Sequence, residues 1–198
     1  MDQGIAATYW QMSRTAWTYI GSGALWRLMK LRKGPVIAAL YPVVFLIVQL
    51  LLAIAFGSFL LWAGKALLIP YLGMFGHVLA ACAGIGAAWA LLLWFKAKDN
   101  KLFAYYLMHD YAYSAQSKGE NPPELEARMA QFADTIAEAL TQDCDEVLVV
   151  GHSSGAHLGV SILSDLLRDG RLPKKGPKLA FLTLGQVVPM VSFLPKAW

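Results

Sequence analysis

Residues 34–95 read GPVIAALYPVVFLIVQLLLAIAFGSFLLWAGKALLIPYLGMFGHVLAACAGIGAAWALLLWF, and this stretch decides the architecture of the chain. Apart from Lys65 and the titratable His77, it contains no basic or acidic residue. A bilayer core is crossed by about 20 apolar residues in a helix. The sequence therefore predicts two transmembrane helices, at about residues 36–62 and 67–95. Two core helices of a soluble protein would carry a polar stripe, which neither segment shows.

The two predicted spans form a hairpin, because only the short linker Ala63-Gly64-Lys65-Ala66 separates them. Lysine and arginine cluster before the first span and directly after the second. The positive-inside rule places such clusters in the cytoplasm. We therefore expect an integral protein of the plasma or inner membrane with both termini cytoplasmic. Residues 1–33 form a cytoplasmic or interfacial segment, interrupted at Gly21-Ser22-Gly23, and residues 34–96 form the hairpin.

Small residues in the second span indicate close helix packing, either within the hairpin or between copies of the chain. They include Gly73, Gly76, Gly84 and Gly86. An ionisable residue inside a span, here His77, is by default a functional hint. A small transporter subunit is the hypothesis that these two features favour, and a hydrated interface histidine is its alternative.

Composition supports the membrane interpretation and argues against a nucleic-acid partner. The apolar fraction is 57% and the charged fraction 15%, against about 45–50% and about 25% in soluble domains. Up to Phe95 the only acidic residue is Asp2, whereas acids outnumber bases afterwards. The net charge of +4 therefore reflects a basic, apolar front half, so no nucleic-acid binding is expected.

The pattern changes over residues 99–198, where strands and helices are expected to alternate. Three short apolar runs predict buried strands: residues 102–108, 147–150 and 179–184. Apolar residues at helical spacing predict helices from about residue 122 to 140 and from 154 to 168. This order predicts a parallel sheet with flanking helices. The expected fold class is thus a membrane α-helical hairpin plus an α/β domain.

The pattern Gly-x-Ser-x-Gly joins the second predicted strand to the second helix, as Gly151-His152-Ser153-Ser154-Gly155. A nucleophilic serine of this kind sits on a tight, strained turn between a strand and a helix. Side chains at Gly151 and Gly155 would collide with the neighbouring strand and helix. The helix also aims its first N–H groups at the place where an oxyanion develops. Ser153 is therefore a candidate nucleophile, and a plain turn with a helix cap is the alternative.

With the run Val147-Leu148-Val149-Val150 before this motif, residues 102–198 resemble the α/β-hydrolase superfamily of the lipase and esterase type. The resemblance implies a partial α/β-hydrolase-type sheet, Ser153 as acyl-forming nucleophile and the backbone N–H of Ser154 as an oxyanion donor. The loop after the first strand, His109-Asp110, would supply the second donor. Implied substrates are esters or lipids close to the bilayer. Neither a cofactor nor a metal is expected.

In this family the catalytic triad follows the order serine, acid, histidine along the chain. The acid and the histidine of such a triad are missing here. After Ser153 the only histidine is His157, and Asp165 and Asp169 are the only acids. All three fall on the helix that follows the serine or at its end. We expect the acid and the histidine beyond Trp198, so that the chain is an N-terminal piece. The alternative is a non-catalytic membrane protein whose hydrolase-like domain binds a partner or a lipid.

Overall fold

The computed structural model describes residues 4–173, 175–185 and 187–197. Within these residues, 74% are helical and the only sheet is a parallel pair of strands. The prediction of an α/β domain with a partial α/β-hydrolase-type sheet is therefore wrong, since the described chain does not show that fold. The chain forms two compact units, Met1–Trp17 with Met29–Tyr113 and Thr18–Leu28 with Ser114–Trp198.

Three helices precede the longest helix of the described residues: α1 (Ile5–Gly21), α2 (Ala24–Leu31) and α3 (Lys33–Ala39). The first two are separated at Gly23, whose φ of +74° lies in the left-handed region. Glycine adopts this region without the steric penalty that a Cβ would bring. The break therefore lies within the Gly21-Ser22-Gly23 segment that the sequence indicated.

Helix α4 (Tyr41–Ala97) contains residues 41–62 of the first predicted span and all of the second, and it is long and apolar enough to cross a membrane. Its most apolar 18-residue window is only 22% buried within the protein, whereas a core helix of a soluble protein is mostly buried. The helix bends at Gly73, with φ +52° and ψ −127°. The turn therefore lies at Gly73 and not in the predicted linker at residues 63–66, which is helical.

The two arms of α4, residues 41–72 and 74–97, pack against each other through facing small residues. A Cβ added to Gly57 would lie 2.6 Å from the carbonyl oxygen of Gly84, and one on Gly84 would lie 2.7 Å from that of Gly57. The absence of side chains at both positions lets the two backbones touch, as in many membrane helix pairs. The arms are therefore antiparallel neighbours.

The core of the first unit lies at the open end of this hairpin. Leu46, Ala53 and Leu92 of α4 are buried there with Ile5 of α1 and Met108 of a later helix. The hydroxyl of Tyr9 donates a hydrogen bond of 2.9 Å to the carbonyl oxygen of Leu46. Helix α1 is thus attached to the hairpin by apolar burial and by one polar contact.

After the hairpin the chain continues as two helices: α5 (Asp99–Leu102) and α6 (Ala104–Gln116). Residues 102–108 were predicted to be the first strand of the sheet, and this is wrong. The carboxylate of Asp99 accepts the backbone N–H of Tyr105 at 2.9 Å and that of Tyr106 at 3.0 Å. Because the first N–H groups of a helix have no partner within it, such a cap stabilises the helix. Periodicity over a short apolar run does not separate a buried strand from a buried helix.

Replacing the capping carboxylate is expected to weaken the first turn of α6. The substitution Asp99→Ala should lower the free energy of unfolding by about 1 kcal/mol, the usual value of a cap. Asp99→Asn keeps one acceptor oxygen and should lose less. Thermal unfolding of the purified protein in detergent micelles measures the difference. Asp143 is exposed in a turn, and an Asp143→Ala variant that is destabilised as much as Asp99→Ala would contradict the capping role.

The second unit contains the sheet and the remaining helices: α7 (Pro123–Ala139), β1 (Glu146–His152), α8 (Ser154–Arg168), β2 (Lys178–Leu184) and α9 (Val188–Ser192). The strands are parallel, with Glu146 opposite Lys178 and His152 opposite Leu184. Helices α7 and α8 share an apolar cluster and both contact β1. These elements match the predicted strands at residues 147–150 and 179–184 and the predicted helices.

One face of the two-stranded sheet is not covered by the described residues. Leu148 and Val150 of β1 are each 53% exposed, and Leu182 and Leu184 of β2 are 45% and 44% exposed. All four point to the same side, because they occupy alternate, paired positions of the strands. Parallel sheets are normally covered on both faces. The open face is therefore an unusual feature of the unit.

Candidate active site

Ser153 stands between the last residue of β1 and the first of α8, with φ +54° and ψ −118°. A residue with a Cβ pays roughly 1–3 kcal/mol for such a conformation. Two backbone hydrogen bonds hold it: the N–H of Ser153 donates to the carbonyl oxygen of Leu184 at 2.9 Å, and its own carbonyl oxygen accepts the N–H of Ala156 at 3.0 Å. The backbone of Ser153 is therefore hydrogen-bonded both to the neighbouring strand and to the helix.

The glycine two residues before the serine is required by close backbone contact. A Cβ on Gly151 would lie 2.7 Å from Cα of Ala156 and 2.8 Å from the carbonyl oxygen of Gly155. These are backbone atoms and cannot turn aside. The glycine two residues after the serine was expected to be equally restricted, and this is wrong. A Cβ on Gly155 meets nothing within 4 Å, so that position has room for a side chain.

A third small residue lets α8 lie close to the sheet. A Cβ on Gly159 would come within 2.7 Å of the ring of Phe181 on β2. The ring therefore lies against the helix backbone, and Ala156, one turn earlier, is fully buried. This contact fixes the start of α8 relative to the carboxyl ends of both strands, which is where Ser153 stands.

The predicted oxyanion donors have different positions in the structure. Ser154 is the first residue of α8, the position that the prediction requires for its backbone N–H. His109 and Asp110 lie in the middle of α6, so the prediction that they form a loop after a strand is wrong. Backbone N–H groups in a helix interior bind carbonyl oxygens four residues earlier. This arrangement leaves no role for His109 and Asp110 as backbone donors.

Two histidines flank the serine in the sequence, and they have different surroundings. His152 ends β1 and is exposed. His157, one turn into α8, is partly buried, and burial lowers its pKa from the usual value of 6.5. Removal from water disfavours the charged form, so His157 is neutral at pH 7.

The lowered pKa of His157 predicts that acid destabilises the second unit. The unfolded chain binds a proton near pH 6.5, whereas the folded chain binds it only at lower pH. Between these values the unfolded state holds more protons, so stability falls as pH decreases below about 6.5. Unfolding midpoints at pH 5.5 and pH 7.5 measure this difference. It should become smaller in His157→Gln, and an unchanged difference would exclude His157 as its source.

A cavity of about 150 Å³ lies between α7 and α8, with Asp165 and Asp169 in its lining. Its apolar lining residues include Met129, Ile162 and Leu166. Ser153 does not line this cavity. Among the residues that the structure describes, no three histidine, cysteine or carboxylate side chains are grouped as metal ligands.

Sequence reasoning missed two residues that shape the site. The backbone carbonyl oxygen of Leu184 accepts the N–H of Ser153. The ring of Phe181 packs against Gly159 and so determines the distance between α8 and the sheet. A backbone carbonyl has no signature in the sequence, so Leu184 could be found only once the register of the strands was known. An aromatic residue on one strand and a glycine on the crossover helix were a usable signal for the second contact.

Comparison with known proteins identified no relative of this chain. No family model, no curated protein and no solved structure matches the chain.

Proposed function

We propose that this protein is a membrane-anchored serine hydrolase that acts on carboxylic esters with Ser153 as nucleophile. The conformation of Ser153 carries the proposal: a serine with φ +54° stands between a strand and a helix, beside a glycine whose lack of a side chain is obligatory. Strained non-glycine residues persist where the surrounding structure imposes them, and they cluster at functional sites. The proposal rests on this local geometry and not on a fold.

The geometry suits acyl transfer. The hydroxyl oxygen of Ser153 would attack the ester carbonyl carbon while a general base takes the hydroxyl proton and passes it to the leaving alcohol. Water would then attack the acyl-enzyme, release the carboxylic acid and restore the serine. The amino end of α8, which begins at Ser154, is oriented to stabilise the negative charge that develops on the carbonyl oxygen.

The apolar helix α4 and the distribution of charge around it support a location for the proposed enzyme. Five basic residues between Arg14 and Lys33 precede the hairpin, and Lys96, Lys98 and Lys101 lie at its end or directly after it. Lys65 is the only basic residue between these two groups. By the positive-inside rule, this distribution supports a cytoplasmic position for both ends of the hairpin and for Ser153. Esters that partition into the bilayer are the substrates that such an anchored site would meet.

A fluorophosphonate probe tests the proposal, because it phosphonylates activated serines. The wild-type chain in detergent micelles or liposomes should be labelled, and Ser153→Ala should not. Ser154→Ala is the matched control, since it removes the neighbouring hydroxyl but keeps the backbone N–H, and it should be labelled like wild type. Full labelling of Ser153→Ala would refute the assignment.

One observation favours the alternative, a domain that binds a partner or lipid without catalysis. The apolar face formed by Leu148, Val150, Leu182 and Leu184 is open, and exposed apolar patches commonly mark interaction sites. This alternative predicts no labelling of the wild-type chain, together with a retained fold. The same probe experiment therefore separates the two functions.

A further inference from the structure

Gln49 lies on the first arm of α4 and is fully buried. It is one helical turn away from Leu46 and from Ala53, and both of these residues belong to the core of the first unit. Residues three or four positions apart lie on the same face of a helix. The carboxamide of Gln49 is therefore enclosed in the core at the open end of the hairpin, among apolar side chains.

The carboxamide of Gln49 makes no hydrogen bond with any residue that the structure describes. Its Oε1 and Nε2 atoms are both buried and both without a partner. Buried polar groups of native proteins are nearly always hydrogen-bonded, either to protein or to ordered water. Leaving such a group unpaired is unfavourable. The side chain of Gln49 therefore requires a partner that can reach this core.

A second polar group lies in the same core. Tyr105 of α6 is 8% exposed, and its buried hydroxyl makes no hydrogen bond of good geometry within the described residues. Burial raises the pKa of Tyr105, and the neighbouring hydroxyl of Tyr9 raises it further. That Tyr9 hydroxyl donates to the carbonyl oxygen of Leu46 at 2.9 Å. The hydroxyl of Tyr105 is thus close to the helical turn that connects Leu46 to Gln49.

The chemistry of these two groups indicates the ligand that they would bind. A carboxamide accepts at Oε1 and donates at Nε2, and a tyrosine hydroxyl both donates and accepts. A metal cation would satisfy only the oxygen atoms, and an anion would satisfy only the donors. Water donates and accepts, and a buried water molecule typically makes about three hydrogen bonds to such groups. Water is therefore the ligand that satisfies both residues.

We propose that Gln49 and Tyr105 form a binding site for internal water, which bridges the carboxamide to the hydroxyl and joins α6 to the first arm of α4. A buried polar network whose members are all hydrogen-bonded makes a core rigid and specifies one arrangement of it. The bridge would fix the start of α6 against the hairpin, where apolar packing alone tolerates small shifts. This inference is independent of the chemistry of Ser153.

A double-mutant cycle in the full chain, purified in detergent micelles, tests the bridge. Gln49→Leu and Tyr105→Phe each remove one end of it and leave the other group without its partner. Each variant is expected to lower the thermal unfolding midpoint by about 2–4 °C. The double variant leaves neither group behind, so its midpoint should fall by clearly less than the sum of the two single shifts.

Tyr111→Phe is the matched control for this cycle. Tyr111 packs against the same core, but its hydroxyl is not one of the buried polar atoms without a partner. Its effect on the unfolding midpoint should therefore add to that of Gln49→Leu.

Nuclear magnetic resonance detects the water in the wild-type chain, whether or not the variants fold. The protein carries isotope-labelled glutamine, and the side-chain NH₂ signal of Gln49 is assigned by its loss in Gln49→Asn, a mild substitution. We expect a nuclear Overhauser effect between this NH₂ group and water, as a long-lived buried water molecule produces.

Each other outcome overturns the proposal. A raised midpoint for Gln49→Leu would mean that the carboxamide is buried dry and unpaired. Additive shifts for Gln49→Leu and Tyr105→Phe, or equal coupling to Tyr111→Phe, would mean that no bridge joins the two groups. Coupling without an Overhauser effect to water would mean that Gln49 and Tyr105 pair directly.

Discussion

Gly151→Ala is expected to abolish reaction at Ser153 and to destabilise the second unit. The new Cβ would lie 2.7 Å from Cα of Ala156 and 2.8 Å from the carbonyl oxygen of Gly155, and both are backbone atoms. The start of α8 must therefore shift, and Ser153 shifts with it. Overpacking of this kind costs about 1–3 kcal/mol, and a displacement of about 1 Å at a reacting group can lower its rate about 100-fold.

The neighbouring glycine provides the control for this prediction. Gly155→Ala adds the same methyl group in open space, within the first turn of α8, where alanine is favoured over glycine by up to about 1 kcal/mol. It should keep the rate of fluorophosphonate labelling and the unfolding midpoint, or raise the midpoint. Labelling rates and thermal unfolding midpoints of both variants, measured under the same conditions, test this difference. If both variants lost labelling rate and stability equally, the close contact at Gly151 would not be what positions Ser153.

Gly57→Val is expected to force the two arms of the hairpin apart. Its Cβ would lie 2.6 Å from the carbonyl oxygen of Gly84, and a branched side chain adds further atoms at this contact. Close approach of small residues is a main source of helix association in a membrane, where lipid offers no hydrophobic drive between helices. The expected loss of stability is at least the roughly 1–3 kcal/mol of a core overpacking substitution.

Disulfide crosslinking measures the separation of the arms directly. The ideal Cβ position of Gly64 is 3.0 Å from Cβ of Ala80, so cysteines at these two positions should crosslink when Cys82 and Cys144 are replaced by serine. Crosslinking should be efficient in the otherwise wild-type hairpin and strongly reduced with Gly57→Val. Gly86→Val is the matched control, because a Cβ there meets nothing within 4 Å. Equal crosslinking in all three would mean that Gly57 is not needed for the packing of the arms.

The elements that could be predicted are those with a strong local signal. The β-branched run at residues 147–150 and the glycine pattern after it place a strand, a serine turn and a helix, and β1 and α8 agree with that placement. Prediction failed where a local pattern was ambiguous. The aromatic run at residues 102–108 is compatible with a strand or with a helix. The carboxylate of Asp99, three residues before the run, accepts N–H groups of the first turn of α6 and so favours the helix. Without that strand the expected hydrolase-type sheet is not formed.

By itself, the sequence determined that the chain contains a helical stretch apolar enough to cross a membrane and that Ser153 lies between a strand and a helix. Hydrophobicity and helical spacing are local properties, so they can be read from neighbouring residues. Only the tertiary structure decided that the hairpin turns at Gly73, that Gly151 is obligatory and Gly155 is not, and that Leu184 holds the serine. These features depend on which parts of the backbone come into contact in the folded chain, and a pattern of residue types does not specify those contacts.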